Sequence, residues 1–169
     1  MVHRVAIVTF PGLQPLDAVG PHEVFTGATR SGADYRVRLV ARVPGPVESE
    51  SGLALHAAAL GDPDEVDTLL LAGGFGVRAA SEDAELVDWV RRAPAGAERV
   101  ATVCSGTFLA GAAGLLDGRR VTTHWARTEQ LAARHPLAEV DPDPIYLRDG
   151  DLWTSAGVTA EVHRSPSRR

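Results

Sequence analysis

With 169 residues, 44% of them hydrophobic and 23% charged, the chain has the composition of one globular domain, not of a disordered or fibrous segment. A formal net charge of −5 removes the electrostatic drive toward nucleic acid that a clustered basic face supplies. No apolar run approaches the roughly 18 residues of a membrane span, and a single cysteine permits no internal disulfide, so a soluble protein of the reducing cytoplasm is expected.

Short apolar runs alternate with helical patterns along the chain, which predicts an α/β domain with a mostly parallel sheet. Arg4–Phe10 is a continuous apolar strand suited to a sheet covered on both faces. Pro11-Gly12 ends it, and a helix is expected from Pro21, at the first helical position, to about Thr29. Tyr35–Val43 alternates apolar residues with arginines and is expected near a sheet edge. Val47–Glu50 and Leu53–His56 flank Ser51-Gly52 as a small hairpin. Thr68–Ala72 is a buried strand running into Gly73-Gly74-Phe75-Gly76. Glu82–Arg92 follows as an amphipathic helix with Ser81 as N-cap. Arg99–Val103 is a further buried strand, and Cys104-Ser105-Gly106-Thr107 opens a helix through about Ala113. Arg120–Thr123 is a short strand and His124–Arg134 a helix stopped by Pro136. Ile145–Arg148 and Leu152–Ser155 flank Asp149-Gly150-Asp151, a strong hairpin signal. Ser155–Ala160 has the form of a turn before one more helix, but Glu161–Arg169 turns polar at once, so the last helix is expected to be missing.

The candidate chemistry follows from where these loops fall. In open parallel sheets the functional crevice lies at the carboxyl ends of the strands. Asp17, Gly73-Gly74 and Cys104 each follow such a strand and should face one crevice. A cysteine between a buried strand and a helix start sits on a sharp turn, where the helix N-terminus favours thiolate. Ser105, Gly106 and Thr107 are small enough to let that elbow turn and to leave room for a ligand; the plainer reading of Cys104 is a small buried hydrophobe. The backbone N–H groups of Gly74 and Ser105 would form a two-donor oxyanion hole, unless Gly73-Gly74 is an ordinary strand-to-loop turn. Asp17 is either an acidic partner of the sulfur or a cap at the start of its helix. His124 is either a base for the thiol or a core or capping residue. The other histidines show no metal-ligand spacing, so neither metal nor cofactor is expected.

Several ordered segments extend this reading. Phe10-Pro11-Gly12-Leu13, Leu16–Phe25 with its Asp17-Ala18-Val19-Gly20-Pro21 core, Leu71–Gly74, Val103–Ala110, Gly114–Arg120, Thr122–Trp125 and Trp153–Ala160 together resemble the ThiJ/PfpI superfamily of class I glutamine amidotransferase-like domains. Within it the likeness is greatest to the sensor domain that precedes the helix-turn-helix module of AraC-type transcription regulators, with isocyanide hydratase next. The resemblance spans residues 2–160 and implies a flavodoxin-like α/β sandwich, with helices on both faces of the sheet, and a homodimer. It also implies Cys104 as nucleophile or redox-sensitive thiol, Asp17 as its acidic partner, and Gly74 and Ser105 as donors. The expected function is small-molecule or oxidant sensing, without DNA binding by this chain; the alternative is a cysteine-dependent hydratase or lyase, and the third reading is an inactive remnant. Residues 1–160 form the expected domain and 161–169 an atypical tail.

Overall fold

The computed structural model describes residues 2–157. In chain order the elements are β1 (His3–Val8), α1 (Pro15–Arg30), β2 (Tyr35–Ala41), β3 (Gly45–Glu48), β4 (Ala54–Ala59), β5 (Thr68–Leu71), α2 (Val77–Glu82), α3 (Ala84–Arg92), β6 (Arg99–Val103), α4 (Thr107–Ala112), β7 (Arg120–Val121), α5 (Thr128–Arg134), β8 (Glu139–Val140), β9 (Tyr146–Asp149) and β10 (Leu152–Ser155). The main sheet has the order β3-β4-β2-β1-β5-β6-β10-β9. Its six inner strands pair in parallel, and each edge is closed by the antiparallel strand of a hairpin, β3 on one side and β9 on the other. With helices on both sheet faces, this is the flavodoxin-like sandwich that the resemblance implies.

The central strands β1 and β5 are covered, as their unbroken apolar runs require. Val5, Ile7 and Val8 of β1 and Leu69 and Leu71 of β5 are all buried. On β2 the register pairs Val37 with Val5 and Leu39 with Ile7, so the apolar side of β2 continues that of β1, and Phe25 of α1 packs edge-on against Tyr35. β4 pairs with β2 only at Val40 and Ala41. The first half of β2 therefore behaves as an edge, which accounts for its exposed Arg36 and Arg38.

Several boundaries differ from expectation; the helix expected from His124 begins at Thr128, after a 3₁₀ turn over Trp125–Arg127 that His124 caps. Helix α1 begins six residues before Pro21, with Gln14 as N-cap accepting the Leu16 N–H and Pro15 in the first turn. Pro21 lies inside the helix, where its missing N–H leaves the Asp17 carbonyl without its usual partner; buried Ala18 and the packing of Phe25 outweigh that loss. Ser81 caps nothing: it sits in α2, its hydroxyl donating back to the Val77 carbonyl at 2.7 Å, and Asp83 caps α3 by accepting the Leu86 N–H. The strand expected at Arg120–Thr123 is shorter and pairs in parallel with β8 in a separate two-stranded sheet. Among the described residues no helix is long and apolar enough to cross a membrane. The expected domain limit at 160, the tail and the last helix lie outside the described residues.

Candidate functional site

The strand order reverses direction between β1 and β5, the point at which open α/β sheets leave a crevice. Asp17 reaches it from the first turn of α1, Gly73 to Phe75 from the loop after β5, and Cys104 and Ser105 from the turn after β6. Asp17, Gly74, Phe75, Cys104 and Ser105, with Gln14, Glu50, His124 and Arg127, line a cavity of about 270 Å³; Gly73, expected at the ligand, stands behind its wall.

Cys104 has φ 55°, a left-handed conformation that non-glycine residues seldom adopt. The elbow is held from behind. Its carbonyl accepts the Thr123 hydroxyl at 2.8 Å, and Thr107, fully buried, bonds Thr102 at 2.8 Å and the Thr122 carbonyl at 3.1 Å. Thr107, expected beside the ligand space, thus lies beneath the elbow and does not line the cavity. Gly157, just after β10, sits over the sulfur: a Cβ added there would stand 3.0 Å from the Cys104 Cβ and 3.5 Å from Sγ.

Asp17 is 2% exposed, and its Oδ2 accepts the Gly73 N–H at 3.1 Å. Burial pushes its pKa up to about 6; the Gly73 bond pulls the other way, and the negative charge of Glu50 adds to the rise. Burial likewise drives the Cys104 thiol up to about 11, with the Asp17 carboxylate next in effect, against the lowering influence of the Ser105 N–H and hydroxyl. The expected thiolate is therefore not favoured in this resting state. A short helix opening through a 3₁₀ turn does not outweigh a dry site that already holds a carboxylate.

Of the two expected oxyanion donors, the Gly74 N–H is engaged and the Ser105 N–H bears on the Cys104 sulfur. Gly74 donates its N–H to the Ser105 hydroxyl at 3.0 Å, and that hydroxyl donates back to the Gly74 carbonyl at 3.3 Å. Phe75 donates its N–H to Glu50 Oε2 at 2.9 Å. Three successive backbone donors, Gly73 to Phe75, thus end on three side-chain oxygens. Gly74 itself has φ 133° and packs against the Gly12–Gln14 backbone so closely that no side chain fits there. His124 lines the cavity, and its Nδ1 accepts the Ala126 N–H at 3.3 Å as a turn cap. Among the described residues no three His, Cys, Asp or Glu side chains are placed to hold a metal ion.

Sequence reading missed Glu50, Arg127, Thr123 and Gly157. Glu50 arrives because residues 12–14 and 48–50 run side by side: Gly12 N–H donates to the Glu48 carbonyl at 2.8 Å, Glu50 N–H to Leu13 at 3.0 Å, and Leu13 bridges Ser49. Nothing local to the hairpin signals that contact.

Comparison with known proteins agrees with this architecture. The model of the DJ-1/PfpI family matches residues 3–163. The isonitrile hydratase of Pseudomonas putida is 36% identical over 163 residues, covering 96% of this chain and 68% of that protein. The HTH-type transcriptional regulator CdhR of Pseudomonas aeruginosa is 30% identical over 154 residues, covering 90% of this chain and 45% of the regulator, so the chain spans less than half the regulator's length. The crystal structure of a ThiJ/PfpI family protein from Pseudomonas syringae superposes with a TM-score of 0.83 at 35% identity, over 95% of this chain and 64% of that one.

Proposed function

The chain belongs to the DJ-1/PfpI family, and on that premise we propose that it is a sensing domain of the kind fused to AraC-type regulators, with a small molecule occupying the Cys104 cavity. The carrying observation is that Gly73, Gly74 and Phe75 already spend their N–H groups on Asp17, Ser105 and Glu50. A site built for turnover keeps such donors aimed at developing charge; one whose donors are satisfied internally suits a ligand that displaces a side chain and so changes the loops. A buried thiol held at about 11 also reacts slowly with peroxide, which favours a small ligand over an oxidant as the stimulus. In this reading the domain works in the cytoplasm as a homodimer and leaves DNA contact to another module.

A second reading, a cysteine-dependent hydratase acting on a small electrophile such as an isocyanide, is favoured by Asp17. A carboxylate titrating near 6 beside a thiol is ionised at neutral pH and able to take its proton. Sulfur would add to the terminal carbon of the isocyanide while Asp17 passes the thiol proton to that same carbon, forming a thioimidate. Water then adds to this carbon, its proton going to nitrogen, and the C–S bond breaks to release a formamide and the free thiol.

Two measurements divide the readings. Thermal shift with a panel of small metabolites should reveal ligands that raise the melting temperature of the wild type and fail on Asp17→Asn; a panel without effect overturns the sensor. Steady turnover of para-nitrophenyl isocyanide that disappears in Cys104→Ser would establish the hydratase instead.

A further inference from the structure

We infer that Glu50 is a positioning residue that locks Asp17 against the Cys104 thiol by tying three loops of the cavity together. The inference rests on the reading of Asp17 and Cys104 as the working pair, and it concerns a side chain contributed by neither of their elements.

The lock is a closed ring of hydrogen bonds. Glu50 Oε1 accepts from Gln14 Nε2 at 2.9 Å, and Oε2 accepts the Phe75 N–H at 2.9 Å. Gln14 caps the helix whose first turn carries Asp17, and its own N–H donates to the Gly73 carbonyl at 2.8 Å. Asp17 completes the circuit by accepting the Gly73 N–H at 3.1 Å. The Glu50 backbone is pinned as well, by its N–H on Leu13. Each corner of the ring is a loop of different origin: the turn after β1, the turn after β3 and the glycine loop after β5.

A carboxylate is a notable choice for such a bridge. A glutamine there would still present an oxygen to the Phe75 N–H. What the acid adds is a second acceptor, for Gln14 Nε2, and negative charge inside a small cavity that already holds Asp17. The charged and titratable groups facing it are Asp17, Cys104, His124 and Arg127. Glu50 drives the first two toward their protonated forms. It thus fixes where Asp17 sits and adds to the upward push that burial gives its carboxyl.

Alkylation of the single cysteine by iodoacetamide, followed by intact-mass spectrometry across pH in the full chain, tests this without any ligand or substrate. Glu50→Gln keeps the Phe75 bond, loses the Gln14 bond because its amide nitrogen faces the Gln14 Nε2 donor, and removes the charge: its melting temperature should fall only slightly while its reactivity at about pH 8 rises roughly two-fold, as the thiol titration moves down. Glu50→Ala loses bridge and charge together and should label roughly five- to tenfold faster, the cavity loop being freed. Wild-type profiles in both variants, or a change confined to melting temperature, would overturn the inference. Asp17→Asn separates the two levels. If it also leaves the profile unmoved, the Asp17–Cys104 pair fails and Glu50 with it; if it moves the profile and the Glu50 variants do not, Glu50 alone is wrong.

Discussion

Two neighbouring cavities along the carboxyl edge of the sheet differ in nearly every respect. One, of about 450 Å³, lies over the ends of β1 and β2 and is walled by Phe10, Ala41, Val47, Ala80 and Leu86. Its charges neutralise one another: Arg42 is held by Asp83, with Glu85 at 3.7 Å. The other holds about 270 Å³ and gathers Asp17, Glu50, Cys104, His124 and Arg127 around a strained backbone turn. Pro11 and Gly76 on the wall of the larger cavity adjoin the Gly12 and Phe75 positions beside the smaller. Volume would select the first, but the convergence of titratable groups around buried Asp17 selects the second. The apolar cavity is a feature of packing and the polar one a feature of chemistry, so substitutions in the two should act on different observables.

The largest effect on stability is expected in the apolar cavity. Leu86, 2% exposed on α3, should cost about 2–5 kcal/mol on truncation to alanine, read by denaturant unfolding, while the folded variant alkylates Cys104 at the wild-type rate. A changed thiol rate would mean that the cavities are coupled.

Next comes Asp17. Its folded pKa of about 6 lies above the ordinary carboxylate value, so the folded state binds its proton more tightly than the unfolded chain does. The stability this contributes is full below about pH 4, falls as pH rises toward 6, and is absent above. Asp17→Asn, which cannot ionise, should therefore be more stable than wild type at about pH 8 by as much as roughly 3 kcal/mol, and the gap should close on acidification. A pH-independent difference would contradict a buried, perturbed carboxyl.

A smaller effect isolates the elbow. At φ 55° a glycine is unstrained and an alanine is not, so Cys104→Gly should be more stable than Cys104→Ala by about 1 kcal/mol in paired melts. Smallest is Arg42→Ala, at the rim of the apolar cavity and 44% exposed, which should change stability by less than about 1 kcal/mol.

What the sequence discloses about this molecule divides along similar lines. The parallel strands are legible because β1, β5 and β6 each read as a short apolar run bounded by breakers, and both hairpins because Ser51-Gly52 and Asp149-Gly150 mark their turns. The Cys104 elbow is legible because a buried strand runs straight into cysteine and small residues. Helix α2 escapes notice, being six residues long and following a glycine run whose turn signals dominate. Pro21 misplaces the start of α1 because proline is far commoner at a first turn than inside a helix. Glu50 and Gly157 reach the site through strand register and close packing between distant segments, which local patterns do not carry. The protonation state of Cys104 is equally hidden: the helix start is visible in the sequence, but the burial and the carboxylate that outweigh it exist only in the fold.

The account stands or falls on the thiol and Asp17 behaving as one unit. With a single cysteine in the chain, thiolate ultraviolet absorbance, corrected by a Cys104→Ser blank, reports that group alone as pH is raised. The prediction is a midpoint near 11 in the wild type that moves down in Asp17→Asn, as the neighbouring negative charge is lost. A midpoint at the ordinary thiol value, unmoved by Asp17→Asn, would contradict it.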